Sequence, residues 1–327
     1  MTSKRAAIGH DNIVACIWDF DKTLIPDYMQ EVLFREYGLN LKTFWKEVNA
    51  LPDAYAQCGI NVSAESVAIN HMLTYVKAGL LRGLTNEKLF QIGAQIEFFD
   101  GLPEFFGKIR DFVNEDERNK KYKITLEHYI VSNGLAEVIR GSSIAPYVSG
   151  IYACEFIENP LPPNFLDDQL KYKSGGEIQQ VGRLIDNTQK TRCIFEINKG
   201  CNKDPDININ SAMDFIDRRI PMANMIYIAD GPSDIPAFSV VRNEGGYAYA
   251  VYNENSEAEF EQNDKMLVDG RIDAYGLADY RDHSQTVRWI KMKLSQICNR
   301  IIREMDDLIK SAVGAPPVHI HEDIHED

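Results

Sequence analysis

The run Ile13-Val14-Ala15-Cys16-Ile17 is apolar at every position and leads directly into Trp18-Asp19-Phe20-Asp21-Lys22-Thr23. A strand that is apolar on both faces belongs in the interior of a parallel sheet covered by helices on both sides. It is too short and too rich in β-branched residues to be the apolar stripe of a helix. Ligands of open α/β sheets gather beyond the carboxyl ends of such strands, so Asp19 and Asp21 stand where chemistry is expected. Two residues apart at a strand end, they point the same way by the period of 2, and they would repel each other without a cation nearby. A hard divalent ion with oxygen ligands, most simply Mg²⁺, resolves that repulsion.

The rest of the chain repeats the alternation. Further strands are expected at His128-Tyr129-Ile130-Val131, at 150–156, at 225–229 and at 247–252, with helical patterns between most of them. This is the signature of an α/β fold, a Rossmann-like parallel sheet with helices on both faces. Residues 25–100 interrupt it. There Val32-Leu33-Phe34-Tyr37, Phe44-Trp45-Val48 and the set Ile69, Leu73, Val76 and Leu80 read as helical faces, with Gly38, Gly59, Gly79 and Gly83 as breaks. The expected organisation is a core of residues 1–24 and 101–327 carrying an inserted all-helical cap of 25–100. A helix should follow from Glu104 to Val113, then a solvated connection from Asn114 to Lys123. The stretch 159–176 reads as either a small β-flap or a loop, and 202–221 as a surface excursion. A long amphipathic helix is expected from His283 to about Val313, and the His/acid alternation at 319–327 reads as a tail.

Three more elements join the first acidic pair. Asp230-Gly231-Pro232-Ser233-Asp234 follows an expected strand end, so Asp230 can share a cation with Asp19. Ser132-Asn133-Gly134 offers a hydroxyl and backbone N–H groups suited to phosphate oxygens, read here at a helix N-terminus. Lys190 follows the capping sequence Asp186-Asn187-Thr188 and falls in a first helical turn at the carboxyl edge of the sheet. Lys199 lies roughly 13 Å farther along at 1.5 Å per residue. Lys22, between the two aspartates, should face the opposite side of the strand.

In this order, D-x-D-x-T, S-N-G, lysine and A-D-G-P-S-D resemble the motifs of the haloacid dehalogenase (HAD) superfamily, nearest to its phosphoserine-phosphatase-like branch with a helical cap. The first glycine of the last motif is replaced by Ala229. The resemblance implies a phosphatase in which Asp19 is the nucleophile that forms an aspartyl-phosphate and Asp21 the general acid and then base. It also implies that Thr23, Ser132, Asn133, Gly134 and Lys190 hold phosphate. Mg²⁺ would be bound by Asp19, by Asp21 through its backbone carbonyl, and by Asp230, with Asp234 as a further acidic support. Phosphoserine phosphatases carry an acidic residue nine positions after the nucleophile, and here that position is Tyr28; Asp27 and Glu31 are near. Tyr28, Arg35 and Tyr75 are the cap residues considered for substrate contact. Phosphotransfer to another acceptor, as in a mutase, and a catalytically silent binding protein are the alternative readings on the same scaffold.

Composition narrows the partners. Net charge is −14 over 327 residues, which argues against nucleic acid or an anionic membrane surface; the small phosphorylated metabolite is the ligand that the resemblance implies. The absence of a long apolar span and of a signal-peptide core before the first strand points to a cytoplasmic location. The six scattered cysteines form no C-x-x-C pair and read as reduced thiols, with Cys16, Cys154 and Cys193 as core residues.

Overall fold

A computed structural model of the chain describes residues 12–214 and 217–312. Seven strands form one sheet in the order β4-β3-β2-β1-β5-β6-β7. They are β1 (Asn12–Trp18), β2 (Ile124–Leu135), β3 (Gly150–Ile157), β4 (Gln180–Arg183), β5 (Met225–Ala229), β6 (Tyr247–Tyr252) and β7 (Ala274–Leu277). All neighbouring pairs are parallel except β3 with β4, which is antiparallel. The strands β4 and β7, both at sheet edges, are only four residues each, too short to be read from pattern.

From β1 the chain builds outward through β2 to β3 on one side, then returns to place β5 against the other side of β1. This reversal makes the β1/β5 boundary the switch point of the sheet, where a crevice opens beyond the strand ends. Ala15 is opposite Met225 and Trp18 opposite Ile228, and the Asp19 N–H continues the ladder to the Ile228 carbonyl at 2.9 Å. The two strands therefore end side by side, and their following aspartates meet.

Four helices, α1 (Gln30–Glu36), α2 (Leu41–Ala56), α3 (Ala64–Lys77) and α4 (Asn86–Gly93), lie between β1 and the core helix α5 (Glu104–Asn114). Phe34, Phe44 and Tyr75 knit α1, α2 and α3 into their own aromatic cluster, with ring centroids 4.9 to 5.8 Å apart. Helix α3 ends at Lys77, and the chain turns at Gly79, where φ is +78°. Leu80 is consequently 47% exposed instead of continuing the face of Ile69 and Val76. Helix α4 packs on the core helix α7 (Ala136–Gly141) at a crossing made by two glycines. A Cβ on Gly93 would lie 2.2 Å from the Val138 carbonyl oxygen, and one on Gly141 would lie 1.8 Å from that of Phe90.

The segment 114–123 is not merely a solvated connection. It contains a short helix, α6 (Glu117–Lys121), capped by the Asp116 side chain, and its Asn119 is buried and donates to the Val113 carbonyl at 2.8 Å. The stretch 159–176 is a loop without strands, fastened at its base by buried Glu158, which accepts from the N–H groups of Asn86 at 2.8 Å and Gly175 at 2.6 Å. The remaining helices are α8 (Asn187–Lys199), α9 (Ile235–Asn243), α10 (Glu257–Val268) and the long α11 (Gln285–Ala312).

Trp18 anchors the core under the crevice, ringed by Phe105, Phe106 and Tyr280, with its indole N–H donating to His128 Nδ1 at 3.2 Å. Cys16, Cys154 and Cys193 are buried free thiols, as is Cys298; Cys58 and Cys201 are also unbridged. No helix among the described residues is long and apolar enough to cross a membrane. The tail 319–327, with His319, His321 and His325, lies outside the described residues.

Candidate active site

At the end of β1 the backbone leaves the strand and folds back on itself. The N–H groups of Thr23 and Leu24 both reach the Phe20 carbonyl, at 3.3 and 2.9 Å, and Asp21 makes an isolated bridge with Ile25. Lys22 takes up a left-handed conformation with φ of +58°, which a residue with a Cβ adopts only against strain. Strand alternation therefore does not extend to Lys22. Its side chain does not face away from the site: Nζ lies 3.4 Å from Glu259 Oε1 on α10 and 5.2 Å from the centre of the Tyr28 ring. Burial opposes its charge, but Tyr28, Glu259 and Asp230 hold the ammonium above its ordinary pKa.

Asp19, Asp230 and Asp234 converge in the crevice, each offering one carboxylate oxygen within 4.8 Å of the others. Asp19 and Asp234 are buried, and Asp230 is partly exposed. Lys190 is placed among them by the cap of α8, where the Asp186 carboxylate accepts from the N–H groups of Thr188 and Gln189 at 2.8 and 2.6 Å. The Lys190 ammonium, with no solvent exposure, donates to Asp19 Oδ1 at 3.0 Å and to Asp234 Oδ1 at 2.7 Å. Lys199, at the other end of α8, instead donates to the carbonyls of Ile209 and Ser211.

Two partners of Asp234 escaped the sequence reading. Tyr227 donates to Oδ1 at 2.7 Å, and Ser233 Oγ is 2.9 Å from Oδ2. The signal for Tyr227 was present, since a tyrosine inside the aliphatic strand Met225–Ala229 must bury its hydroxyl and find an acceptor. Asp234 thus fixes Lys190 and is itself fixed by Tyr227 and Ser233.

The charges are unevenly poised. Burial, tempered by Lys190 and reinforced by Asp234, pushes the Asp19 carboxyl up to about 6. Burial and the Asp19 charge push Asp21 up to about 8, against the pull of the Met29 N–H, which donates to Asp21 Oδ1 at 2.8 Å. Asp230 is driven well above the usual carboxylate range by burial, then by Asp19 and Asp234. Burial alone would weaken the Lys190 charge, yet Asp19 and Asp234 hold it above its ordinary value.

Three carboxylates against one ammonium leave two negative charges in a dry crevice, the balance that one divalent cation cancels. A hard, oxygen-liganded ion such as Mg²⁺ fits this donor set. The Asp21 carboxylate is not one of the three. Thr23 Oγ1 is buried with no hydrogen-bond partner among the described residues, while the Thr23 carbonyl accepts from Tyr280 at 2.6 Å. A buried hydroxyl left open at a site is a group awaiting an acceptor.

Ser132-Asn133-Gly134 lies at the end of β2, just before a helix: the strand continues to Leu135, and α7 begins at Ala136. The register between β2 and β3 shifts here, between Val131 and Leu135. Ser132 Oγ accepts from the Gly134 N–H at 3.0 Å, and Asn133 Nδ2 donates to the Ile185 carbonyl at 3.0 Å. A Cβ on Gly134 would lie 2.1 Å from the Met29 methyl group, the flexible end of a side chain packed over it. Met29, at the start of the helical insert, therefore touches both the S-N-G stretch and, through its backbone, Asp21.

In the cap, Tyr75 is spent on packing and on a 2.6 Å hydrogen bond to Glu47, while Tyr28 is 41% exposed beside Lys22. Asp27, Tyr28, Glu31 and Arg35 line one small cavity of about 90 Å³.

No family model matches the chain. Among solved structures it is similar to a phospho-aspartyl intermediate analogue of phosphoserine phosphatase, with 16% identity, 85% of this chain and 99% of that one covered, and a TM-score of 0.47. It is also similar to a HAD family hydrolase from Salmonella enterica serovar Typhi, with 13% identity, 81% and 67% covered, and a TM-score of 0.46. Similarity this distant carries no weight for chemistry. An uncharacterized protein of Borreliella burgdorferi is far nearer, at 38% identity over 289 residues, or 87% of this chain and 97% of that protein. The chain belongs to one family with that protein, and its fold is a mostly parallel α/β sheet with a helical insert after the first strand.

Proposed function

We propose that the chain is a Mg²⁺-dependent phosphomonoesterase that hydrolyses a small phosphorylated metabolite through an aspartyl-phosphate on Asp19. One observation carries this reading: Lys190, wholly buried, bridges Asp19 and Asp234 in a crevice where Asp230 supplies a third carboxylate. That constellation suits a phosphoryl group, whose transferring oxygens carry charge that a lysine and a metal stabilise. Asp19, Asp230 and Asp234 would hold Mg²⁺, which would neutralise phosphate oxygens when bound.

The steps then fall to the chain's own groups. An Asp19 oxygen attacks phosphorus in line, the bond to the substrate oxygen breaks, and Asp21 gives that leaving oxygen its proton. Asp21 next takes a proton from water, whose oxygen attacks the phosphorus, and Asp19 is released with inorganic phosphate. Lys190 offsets charge on Asp19 and the phosphoryl oxygens, and the open Thr23 hydroxyl, Ser132 and the amides near Gly134 are the phosphate contacts. The helical insert, tied to Asp21 by Met29, would exclude bulk water and limit the substrate to small molecules.

The test is a screen of phosphorylated metabolites for phosphate release, with and without Mg²⁺, run beside Asp19→Asn. Release that needs Mg²⁺ and vanishes in folded Asp19→Asn supports the reading. Phosphoryl groups that move to an acceptor without free phosphate would make the enzyme a transferase instead. Full turnover by Asp19→Asn would remove the nucleophile assignment.

A further inference from the structure

A sizeable cavity lies away from the acid cluster. It is a groove of about 600 Å³ at the opposite, amino edge of the sheet, within the range of small-molecule sites. Its position follows from topology. Ile13 begins the strand that ends beside Asp19, Asn224 directly precedes the strand that leads to Asp230, and Lys199 ends the helix whose first turn holds Lys190. Seven residues of strand separate the two places by roughly 20 Å.

The groove has two characters. Ile13, Ile301, Met305 and Leu308 give it an apolar wall. Of its eight charged lining residues, five are basic (Lys199, Lys203, Arg218, Arg219, Arg300) and three acidic (Asp204, Asp217, Glu304). The chain as a whole has 35 Lys and Arg against 49 Asp and Glu, so the sign is locally reversed. Arg219 is already engaged by Glu127 at 2.6 and 2.8 Å. Lys199 makes no ion pair with a carboxylate among the described residues, its ammonium donating to the carbonyls of Ile209 and Ser211, while Lys203 donates to the Ser149 carbonyl and lies close enough to Glu127 to lower that carboxylate's pKa. Arg300 donates to the Ala223 carbonyl at 2.7 Å and to Asn224 Oδ1 at 2.6 Å, with Glu304 no nearer than 3.9 Å. Three cations that hydrogen-bond chiefly to neutral oxygens, beside an apolar wall, are complementary to a molecule that is itself half charged and half apolar.

We propose that this groove binds a small amphipathic anion, one carboxylate, sulfate or phosphate group on an apolar body, at a site separate from the acid cluster. Lys199, held only by carbonyls, and the less fully paired Lys203 and Arg300 face the anion, and the wall formed by α11 takes the apolar part. Because β1, β5 and α8 each reach from the groove to the crevice, the ligand would sit at the far ends of the elements that hold Asp19, Asp230 and Lys190.

Anilinonaphthalene sulfonate is a suitable probe, an anion on an apolar body with a fluorescence change on burial, and neutral N-phenylnaphthylamine is its uncharged counterpart. The full chain should bind the sulfonate at one saturable site and the amine more weakly. Lys203→Glu, a change at an exposed side chain, should weaken sulfonate binding about tenfold, the scale of one reversed charge at short range near a surface. Its turnover of an aryl phosphate and its near-ultraviolet circular dichroism should match the parent. Asp19→Asn should bind the sulfonate as the parent does. Unchanged binding by Lys203→Glu, equal binding of the neutral amine, or tighter binding by Asp19→Asn, which would put the probe in the crevice, each overturns the proposal.

Discussion

Replacing Lys190 with Met keeps most of the side-chain volume and removes only the charge, so its consequences can be worked from the crevice itself. The ammonium makes two hydrogen bonds to carboxylates, at 3.0 and 2.7 Å, with no solvent to take its place. Removing one member of a buried ionic set costs about 3–5 kcal/mol, because the charges left behind are uncompensated. Three carboxylates would then share the crevice with no cation, and they relieve the repulsion by taking up protons. Lys190 now pulls the Asp19 carboxyl down, yet burial still leaves it at about 6, so in the variant it rises further. A carboxyl whose folded pKa exceeds its unfolded value stabilises the fold when protonated, and that contribution is lost as pH rises through the folded value. The deficit of Lys190→Met should therefore be largest near about pH 8 and shrink toward about pH 5. Urea denaturation of parent and variant without added metal at both pH values measures it. Turnover should fall at least about a hundredfold, the effect of losing one electrostatic stabiliser, while Lys199→Met, whose ammonium holds a distant loop, should keep it. A deficit that does not change with pH would mean lost packing, not lost charge. Parent-like stability and turnover at about pH 8 would refute the reasoning outright.

Three further outcomes are expected. Added Mg²⁺ should raise the melting temperature well above pH 6 and progressively less below it, since Asp19, at about 6, must give up its proton to bind; a shift independent of pH would count against a carboxylate site. Gly141→Ala forces a Cβ into the Phe90 carbonyl 1.8 Å away and should cost about 1–3 kcal/mol by urea denaturation while loosening α4 from the core; an unperturbed variant would show that this helix crossing gives easily. Tyr227→Phe removes a hydrogen bond to buried Asp234 and should cost about 1.5–3 kcal/mol; a neutral result would mean that Ser233 and Lys190 alone satisfy that carboxylate.

Much of this protein was legible from its sequence, for reasons that are local. An all-apolar run such as Ile13–Ile17 admits only a buried strand, and residues directly after a strand end are carried to the sheet edge, so the positions of Asp19 and Asp230 follow from their neighbours in the chain. A cap residue such as Asp186 defines the first turn of a helix, so Lys190 could be assigned to the carboxyl edge without coordinates. What local pattern could not supply is partnership between residues far apart. That Asp19 and Asp234, 171 and 44 positions from Lys190, engage the same ammonium depends on β1 and β5 being neighbours, a choice made by the whole sheet. Lys22 was misplaced because strand periodicity holds only while the chain is a strand, and the turn at Phe20 ends it. Ser132-Asn133-Gly134 reads from its sequence as a strand end at a helix N-terminus, and pairing of Leu135 with Cys154 of β3 carries β2 through it to the residue before α7. The groove at the amino edge was invisible, since its walls come from β1, the end of α8 and α11, segments nearly three hundred residues apart that share no motif and meet only in the folded chain.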